Sequence, residues 1–314
     1  MIRKKISIGI PCFNEEENIA EVYESLSNIA SLSKGYQYEF IFVDNGSVDK
    51  TAEEIRRISG KDKKVVGVFL ARNFGPEAST QAALDYATGD AFIVYEADMQ
   101  DPAEMILNFI KKWEEGYRII IGVRTKTEDR FLMGIARKTF YKILKSISNI
   151  DVPVNAGTFG LIDRKVIDAL KHLPEKYRFY RGLRAWVGFK TFKIVYHRRA
   201  RKHGKSSYSL LGYVHHAERS FFGFSYLPLN IIVYAGLTCM LISFIIGSIY
   251  LIFSLFYKNL LSIEFAIFLA VVFFGGIQLV AISIIGKYTE VIVEETKSRP
   301  IYITDEVING KDKI

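Results

Sequence analysis

The sequence predicts an α/β protein: a mostly parallel sheet with helices on both faces, followed by a C-terminal hairpin of two membrane helices. Three observations carry this. Short β-rich runs alternate with helical patterns through the first part of the chain. Polar clusters follow the ends of those apolar runs, where open sheets of this kind bind ligands. Toward the C-terminus, residues 220–257 and 265–286 carry no charge, and each run exceeds the roughly 20 residues that span a bilayer's hydrocarbon core.

The runs Lys5–Ile10, Tyr38–Val43, Val65–Leu70, Ala91–Tyr95 and Arg118–Gly122 read as buried strands. Between the first two, Ile19, Val22, Leu26 and Ile29 recur at helical spacing after the polar start Asn14-Glu15-Glu16. Strand, helix, strand implies parallel pairing. The N-terminus, Met1-Ile-Arg-Lys-Lys5, leads directly into a strand and reads as lacking a signal peptide. The connector 258–264 is short, so the two apolar helices should return the chain to the side it left. Arg198, Arg199, Arg201, Lys202, Lys205 and Arg219 before them, and Lys287, Lys297 and Arg299 after them, place both termini in the cytoplasm by the positive-inside bias. The strand-like run Pro300–Thr304 suggests a tail that returns to the first domain or to a neighbouring subunit.

The organisation expected is a catalytic domain over 1–208, an interfacial amphipathic segment over 209–226, membrane helices within 227–287 (about 229–257 and 265–286), and a cytosolic tail over 288–314. The chain is a multi-pass protein of the cytoplasmic membrane on this reading. A net charge of +8 could suit nucleic acid, but the basic residues concentrate beside the apolar helices and no nucleic-acid motif accompanies them. Cys12 and Cys239 are the two cysteines, too few for a disulfide framework. The five histidines show no zinc spacing. No GxGxxG or Walker-type loop occurs.

Three clusters fall at strand ends. Glu96-Ala-Asp98-Met-Gln100-Asp101-Pro102 supplies hard oxygen ligands of the kind that hold Mg²⁺ or Mn²⁺ against a diphosphate, though Asp101-Pro102-Ala-Glu104 also reads as a helix start. Asp44 could accept a base's hydrogen, with Gly46-Ser47 as a tight turn, or the segment is an ordinary turn leading to a helix cap. Asn14-Glu15-Glu16 fits a helix N-terminus equally well. Arg124 follows a strand. Arg137 and Lys138 lie on an amphipathic segment whose basic stripe could simply face solvent or membrane.

In order along the chain, Pro11-Cys-Phe-Asn-Glu15, Val43-Asp-Asn-Gly-Ser47, Ala71-Arg-Asn-Phe-Gly75, Ala97-Asp-Met-Gln-Asp-Pro102, Gly122-Val-Arg124, Asn155-Ala-Gly-Thr-Phe159, Arg181-Gly-Leu183, Gly204-Lys-Ser206 with Tyr208, Pro228-Leu229 and Arg299-Pro-Ile-Tyr302 resemble the family 2 glycosyltransferases that load a sugar onto a polyprenyl phosphate, the bactoprenol and dolichyl-phosphate group. The resemblance implies a GT-A domain, a nucleotide-sugar donor with a UDP-sugar first among candidates, a Mg²⁺ or Mn²⁺ cofactor, a polyprenyl phosphate acceptor and inversion at the anomeric carbon. Matched by position, it implies Pro11, Asn14, Glu15, Asp44, Gly46, Ser47 and Arg72 for the nucleotide, and Glu96, Asp98 and Gln100 for the metal. Asp98, Asp101 and Arg124 form the implied catalytic set, and Arg124, Arg137, Lys138, Arg201, Lys205 and Ser206 the set for lipid phosphate and diphosphate. The chain departs from the family pattern at Glu96, Asn45, Thr158 and Ser207. Alternative readings are a processive polysaccharide synthase, of which Arg184-Ala-Trp186 is an echo, and a non-catalytic nucleotide-sugar-binding scaffold. Glycines at 236, 247, 275 and 276 would let the apolar helices of a homo-oligomer pack, and a small lipid-flipping membrane protein is a further candidate partner.

Overall fold

Strands that are mostly apolar and buried pair at the centre of this protein and are covered on both faces. The structure, a computed structural model, describes residues 3–33, 35–125, 155–199, 227–256 and 263–311. They form two compact units: Met1–Ser209 with Ser298–Ile314, and Leu210–Lys297.

In the first unit the chain runs β1 (Lys5–Cys12), α1 (Ile19–Leu32), β2 (Gln37–Asp44), α2 (Thr51–Lys61), β3 (Val65–Leu70), α3 (Pro76–Tyr86), β4 (Ala91–Val94), α4 (Met105–Glu114), β5 (Ile119–Arg124), β6 (Ala156–Asp163), α5 (Arg164–His172), α6 (Tyr180–Trp186) and β7 (Thr191–Tyr196). After the helices of the second unit it returns as β8 (Thr304–Ile308). Among the described residues these strands make one sheet in the order β7-β5-β6-β4-β1-β2-β3-β8. The five expected strands are all present. The sheet is mixed, because β6, which was not foreseen as a strand, and β8, in the tail, run antiparallel to their neighbours. The strand-like run at 300–304 forms its strand later, from Thr304 onward.

Alternation along β1 divides its side chains between two layers. Ile6, Ile8 and Ile10 join Ile19, Val22 and Leu26 of α1, Ile55 of α2 and Phe109 of α4 in one core cluster. Gly9 points to the opposite face, where α3 packs so closely that a Cβ at position 9 would lie 2.7 Å from Ala83 Cβ. The chain moves from β1 to β2 to β3 in one direction and then crosses to β4 on the other side of β1. This reversal opens a crevice at the carboxyl ends of β1 and β4, the usual ligand position in such sheets.

β8 closes the outer edge of β3, pairing Val68 with Val307 and Leu70 with Thr304. Asn309, in the left-handed region at φ 57°, donates to the carbonyls of Ser59 and Val65, and Arg56 donates twice to Glu306. An unpaired apolar edge strand invites association with other chains, and this pairing replaces β3 at the edge by a shorter strand that carries Asp305 and Glu306.

In the second unit, α7 (Leu227–Phe256) and α8 (Ile263–Thr296) touch each other, and an open apolar cleft is lined by residues of both helices that include Ile231, Ala235, Ile277 and Val280. Among the described residues, Phe273–Thr296 is long and apolar enough to cross a membrane. The helix continues past the uncharged run at 265–286, through Lys287 and Glu290, to Thr296. Large apolar side chains such as Leu237, Phe268, Val271 and Leu279 are exposed on these helices.

At the amino edge of the sheet, Glu39 is buried yet fully engaged. Its carboxylate accepts from Ser7 Oγ (2.5 Å), Thr88 N (2.7 Å) and Thr88 Oγ1 (2.7 Å), and pairs with Lys5. Burial pushes its pKa up, but Lys5, Ser7 and Thr88 outweigh that and hold it below the ordinary carboxylate value. A carboxyl depressed in the folded state contributes stability above its unfolded pKa, about 4.3, and loses it as pH falls through the folded value. Glu39→Gln should therefore lower stability by about 1–3 kcal/mol at neutral pH. In thermal unfolding of the full chain from pH 7 to pH 3, the gap between variant and wild type should narrow below about pH 4.3; a gap independent of pH would contradict this role.

Candidate active site

Strand direction gathers the site. β1, β2, β4, β5 and β7 all end at the same edge of the sheet, and the antiparallel β6 begins there. Segments distant in sequence, after residues 12, 44, 94, 124 and 196, are thereby brought side by side.

On one side of the crevice the ends of β1 and β2 lie in register, Cys12 opposite Asp44, and are laced by turn hydrogen bonds. Asn14 N donates to Ser47 Oγ (2.9 Å), Val48 N donates to Asn14 Oδ1 (2.9 Å), and Ser47 N donates to Asp44 Oδ1 (3.2 Å). Gly46 has φ 68°, and a Cβ there would lie 2.5 Å from the carbonyl carbon of Arg72, so only glycine lets the 71–75 loop approach. Asn45 fixes that loop, accepting from Phe74 N (2.9 Å) and donating to Asn73 Oδ1 (3.2 Å). An aspartate in its place would have no hydrogen to give Asn73 in its ionised form. Asp44 is 4% exposed, and burial raises its pKa against the opposing hydrogen bonds from Ser47. Arg72 is turned onto the Phe74 ring, 4.1 Å from its centroid. Pro11 precedes Cys12 at the end of β1, and the Glu15 carboxylate accepts from Asn18 Nδ2.

The carboxylate loop after β4 lies on the other side. Glu96 Oε1 accepts from Thr158 Oγ1 (2.8 Å), and Glu96 Oε2 lies 3.6 Å from Arg124 Nη2 and 2.9 Å from Arg198 Nη2. The same Arg198 nitrogen is 3.3 Å from Asp98 Oδ2, and Arg198 Nε is 3.5 Å from Asp101 Oδ1. Asp101 also accepts from Tyr196 OH (2.6 Å) and lies 3.6 Å from Arg124 Nη2. Burial, then repulsion from Glu96, pushes the Asp101 carboxyl up to about 6 against the pull of Arg124 and Tyr196. Glu96 moves the other way: burial raises its pKa, but Arg124 and Arg198 together bring it below the ordinary value.

The supporting shell explains the aim of these groups. Arg184, 1% exposed, donates to the carbonyls of Thr158 (3.1 Å) and Gly157 (2.9 Å), holding the start of β6 so that the Thr158 hydroxyl meets Glu96. Gly157 leaves room for Arg124, whose Nη2 would lie 2.9 Å from a Cβ at that position.

The structure thus brings Glu96, Asp98, Asp101 and Arg124 together, and groups Asn14, Asp44, Gly46 and Ser47 at the neighbouring strand ends. It adds Arg198, Tyr196 and Thr158 to the carboxylate cluster. Gln100 is turned elsewhere, its Nε2 donating to the Arg199 carbonyl (3.3 Å) while Arg199 N donates to the Gln100 carbonyl (2.8 Å). Arg137, Lys138, Arg201, Lys205 and Ser206, and the segment 209–226, lie outside the described residues. The signal for Tyr196 and Arg198 was slight: an alternating run, Thr191–Tyr196, ending in a basic cluster.

Glu96 and Asp98 offer the oxygen donors that Mg²⁺ or Mn²⁺ takes, and Asp101 Oδ2 is buried without a hydrogen-bond partner. The donor chemistry fits a divalent ion. Among the described residues, however, no three acidic, histidine or cysteine side chains are arranged to close on a metal; at this loop the guanidinium of Arg198 stands among the carboxylates.

Residues 7–171 match the family model for glycosyl transferase family 2. An uncharacterized glycosyltransferase, YkcC of Bacillus subtilis, is 37% identical over 308 residues, covering 98% of this chain and 95% of the relative. A prophage bactoprenol glucosyl transferase homolog of Escherichia coli is 36% identical over 307 residues (96% and 99%), and the bactoprenol glucosyl transferase of Shigella phage SfX is 36% identical over 303 (95% and 98%). Among solved structures, a glucosyl-3-phosphoglycerate synthase from Mycobacterium tuberculosis with Mn²⁺, UDP and phosphoglyceric acid aligns at 20% identity and a TM-score of 0.47, over 64% of this chain and 72% of that one. The chain belongs to glycosyl transferase family 2, and its mixed sheet with flanking helices is a GT-A domain.

Proposed function

We propose that this protein transfers a hexosyl group from a nucleotide-diphosphate sugar, a UDP-sugar first among donors, to a polyprenyl phosphate at the cytoplasmic face of the membrane, with inversion. One observation carries the reading: Glu96, Asp98, Asp101 and Arg124 converge at the carboxyl edge of the sheet, beside the turn cluster of Asn14, Asp44 and Ser47. It is supported by end-to-end similarity to relatives named for bactoprenol glucosyl transfer.

The acceptor phosphate arrives ionised. One of its oxygens forms the new bond to the anomeric carbon as the bond from that carbon to the diphosphate oxygen breaks, and the nucleoside diphosphate departs with the electron pair. No proton has to be removed from the nucleophile, so no general base is assigned. The demanding tasks are holding donor and acceptor in line and offsetting charge on the leaving group. Asp44, Asn14 and the Gly46-Ser47 turn would seat the nucleoside, with Pro11, Glu15 and Arg72 beside it. Arg124, spaced by Gly157 and braced by Tyr196, would face the diphosphate with a charge that Glu96 and Asp101 keep fixed in direction. A divalent ion held by Asp98 and Glu96 would supply Lewis-acid neutralisation of the diphosphate oxygens. Arg137, Lys138, Arg201, Lys205 and Ser206 remain candidates for the acceptor phosphate.

Chain tracing supports a two-span anchor. The strand before the helical unit, β7, ends at the site edge of the sheet, and β8 re-enters the same sheet at that edge, at Thr304 opposite Leu70. A chain that leaves and returns to one domain crosses a bilayer an even number of times, so α7 and α8 both span on this reading. The flanking basic residues put the domain in the cytoplasm.

Purified protein should move radiolabelled sugar from a nucleotide sugar into a butanol-extractable polyprenyl-phosphate lipid, with EDTA abolishing transfer. Asp98→Ala should remove transfer while the protein stays folded and membrane-bound; full activity in that variant or in chelator would reject the role of Asp98. Gly46→Ala, which forces a side chain into a left-handed turn against the Arg72 backbone, should weaken UDP binding at least about tenfold, read by calorimetry. Unchanged affinity would place the nucleotide elsewhere. In sealed cells, a cysteine at Asn259 should react with an impermeant maleimide added outside, and one at Lys311 should not. Labelling at both or at neither would refute the two-span anchor.

A further inference from the structure

Three carboxylates of one short loop, those of Glu96, Asp98 and Asp101, each lie within 3.5 Å of the guanidinium of Arg198. Arg198 is two residues beyond β7, on a strap held across the carboxylate loop by the reciprocal bonds between Gln100 and Arg199. Counting charge, three carboxylates against Arg124 and Arg198 leave −1; without Arg198 they leave −2, the charge one divalent ion balances. Space gives the same answer. Arg198 Nη2 sits 2.9 Å from Glu96 Oε2 and 3.3 Å from Asp98 Oδ2. A divalent ion held by these same two oxygens would compete for them with that nitrogen, and two cations there would repel. Side-chain oxygens that bind a guanidinium this way are not left unsatisfied when it departs if a metal takes its place.

We propose that Arg198 is the resident counter-cation of the carboxylate cluster, and that its guanidinium and a divalent ion occupy the cluster alternately. The inference rests on the metal reading above and goes beyond it. Arg198 keeps the loop folded and neutralised before a donor arrives, and metal entry releases a guanidinium beside the crevice. Metal affinity in the absence of nucleotide is thereby kept low, because each ion must displace an arginine held by charge-assisted contacts to three carboxylates.

The test is Mn²⁺ binding to the full chain in detergent, without nucleotide, followed by the electron paramagnetic resonance of free Mn²⁺. Arg198→Gln should bind Mn²⁺ at least about tenfold more tightly than wild type, a gain expected from removing a competing charge that touches all three carboxylates. Adding Asp98→Asn to Arg198→Gln should abolish the gain. Equal or weaker binding by Arg198→Gln would overturn the proposal. Should circular dichroism show that Arg198→Gln does not fold, Arg198→Lys decides: its point charge cannot span three carboxylates as the fork does, so tighter binding than wild type supports the proposal and equal or weaker binding overturns it. The metal reading fails separately, and takes this proposal with it, if wild type binds no Mn²⁺ even with UDP added. Binding by every form with no gain in the Arg198 variants sinks only the alternation.

Discussion

Negative charge packed at the end of one short strand is the constraint around which this domain is arranged. Four residues of β4 are buried, and within seven residues of its end the chain places Glu96, Asp98 and Asp101, of which Asp98 and Asp101 are almost fully buried. Carboxylates so near one another, two of them almost out of reach of water, need cations and donors from elsewhere in the chain. β5 supplies Arg124, β6 supplies Thr158, and β7 supplies Tyr196 and leads to Arg198. The half of the sheet beyond β4 is thus, in electrostatic terms, a scaffold for counter-charges. Its own supports follow the same logic, with the two terminal nitrogens of Arg184 donating to backbone carbonyls and a glycine at 157 cut to the width of a guanidinium.

The other half of the sheet works by backbone shape. The β1 and β2 ends are fastened by side-chain oxygens that accept from turn amides, and the 71–75 loop is brought against Gly46 and secured by Asn45 and Asn73. The buried Asp44 carboxylate lies among these turns, and Asn14, Glu15, Glu16 and Asp49 line a small recess at the same strand ends. A donor with an uncharged base at one end and a diphosphate at the other matches this division between the two halves.

Much of this could be read from the residues in order. Strands β1 to β5 announce themselves because they are buried on both faces and therefore mostly apolar, and Ile19, Val22, Leu26 and Ile29 all proved to be the buried face of α1. The acidic loop was visible because it directly follows such a strand. The elements that escaped notice, or whose bounds were missed, share a physical cause. β6 is broken by Gly157 and Gly160, β7 is a partly exposed edge strand, and β8 carries Asp305 and Glu306, so none has a continuous apolar signature. Arg198 is a hundred residues from the carboxylates it meets, and only the parallel pairing of β7 with β5 brings them together. Gln100 illustrates the converse: its position in the motif was legible, but its side chain is engaged by Arg199, a contact that no local pattern encodes.

The strand that finishes the sheet has a bearing on how the molecule is made. β8 lies beyond α7 and α8 in the chain, so a ribosome completes the GT-A domain's inner strands well before it delivers the piece that covers β3. Until both long helices have been synthesised, the backbone amides and carbonyls along β3's outer side have only water or a stray strand to bond. Completion of this flank is in this way tied to the helices: a polypeptide truncated within them would leave the wholly buried β3 as the sheet's edge, whereas the finished one presents the short strand β8, with its charged Asp305 and Glu306, there instead.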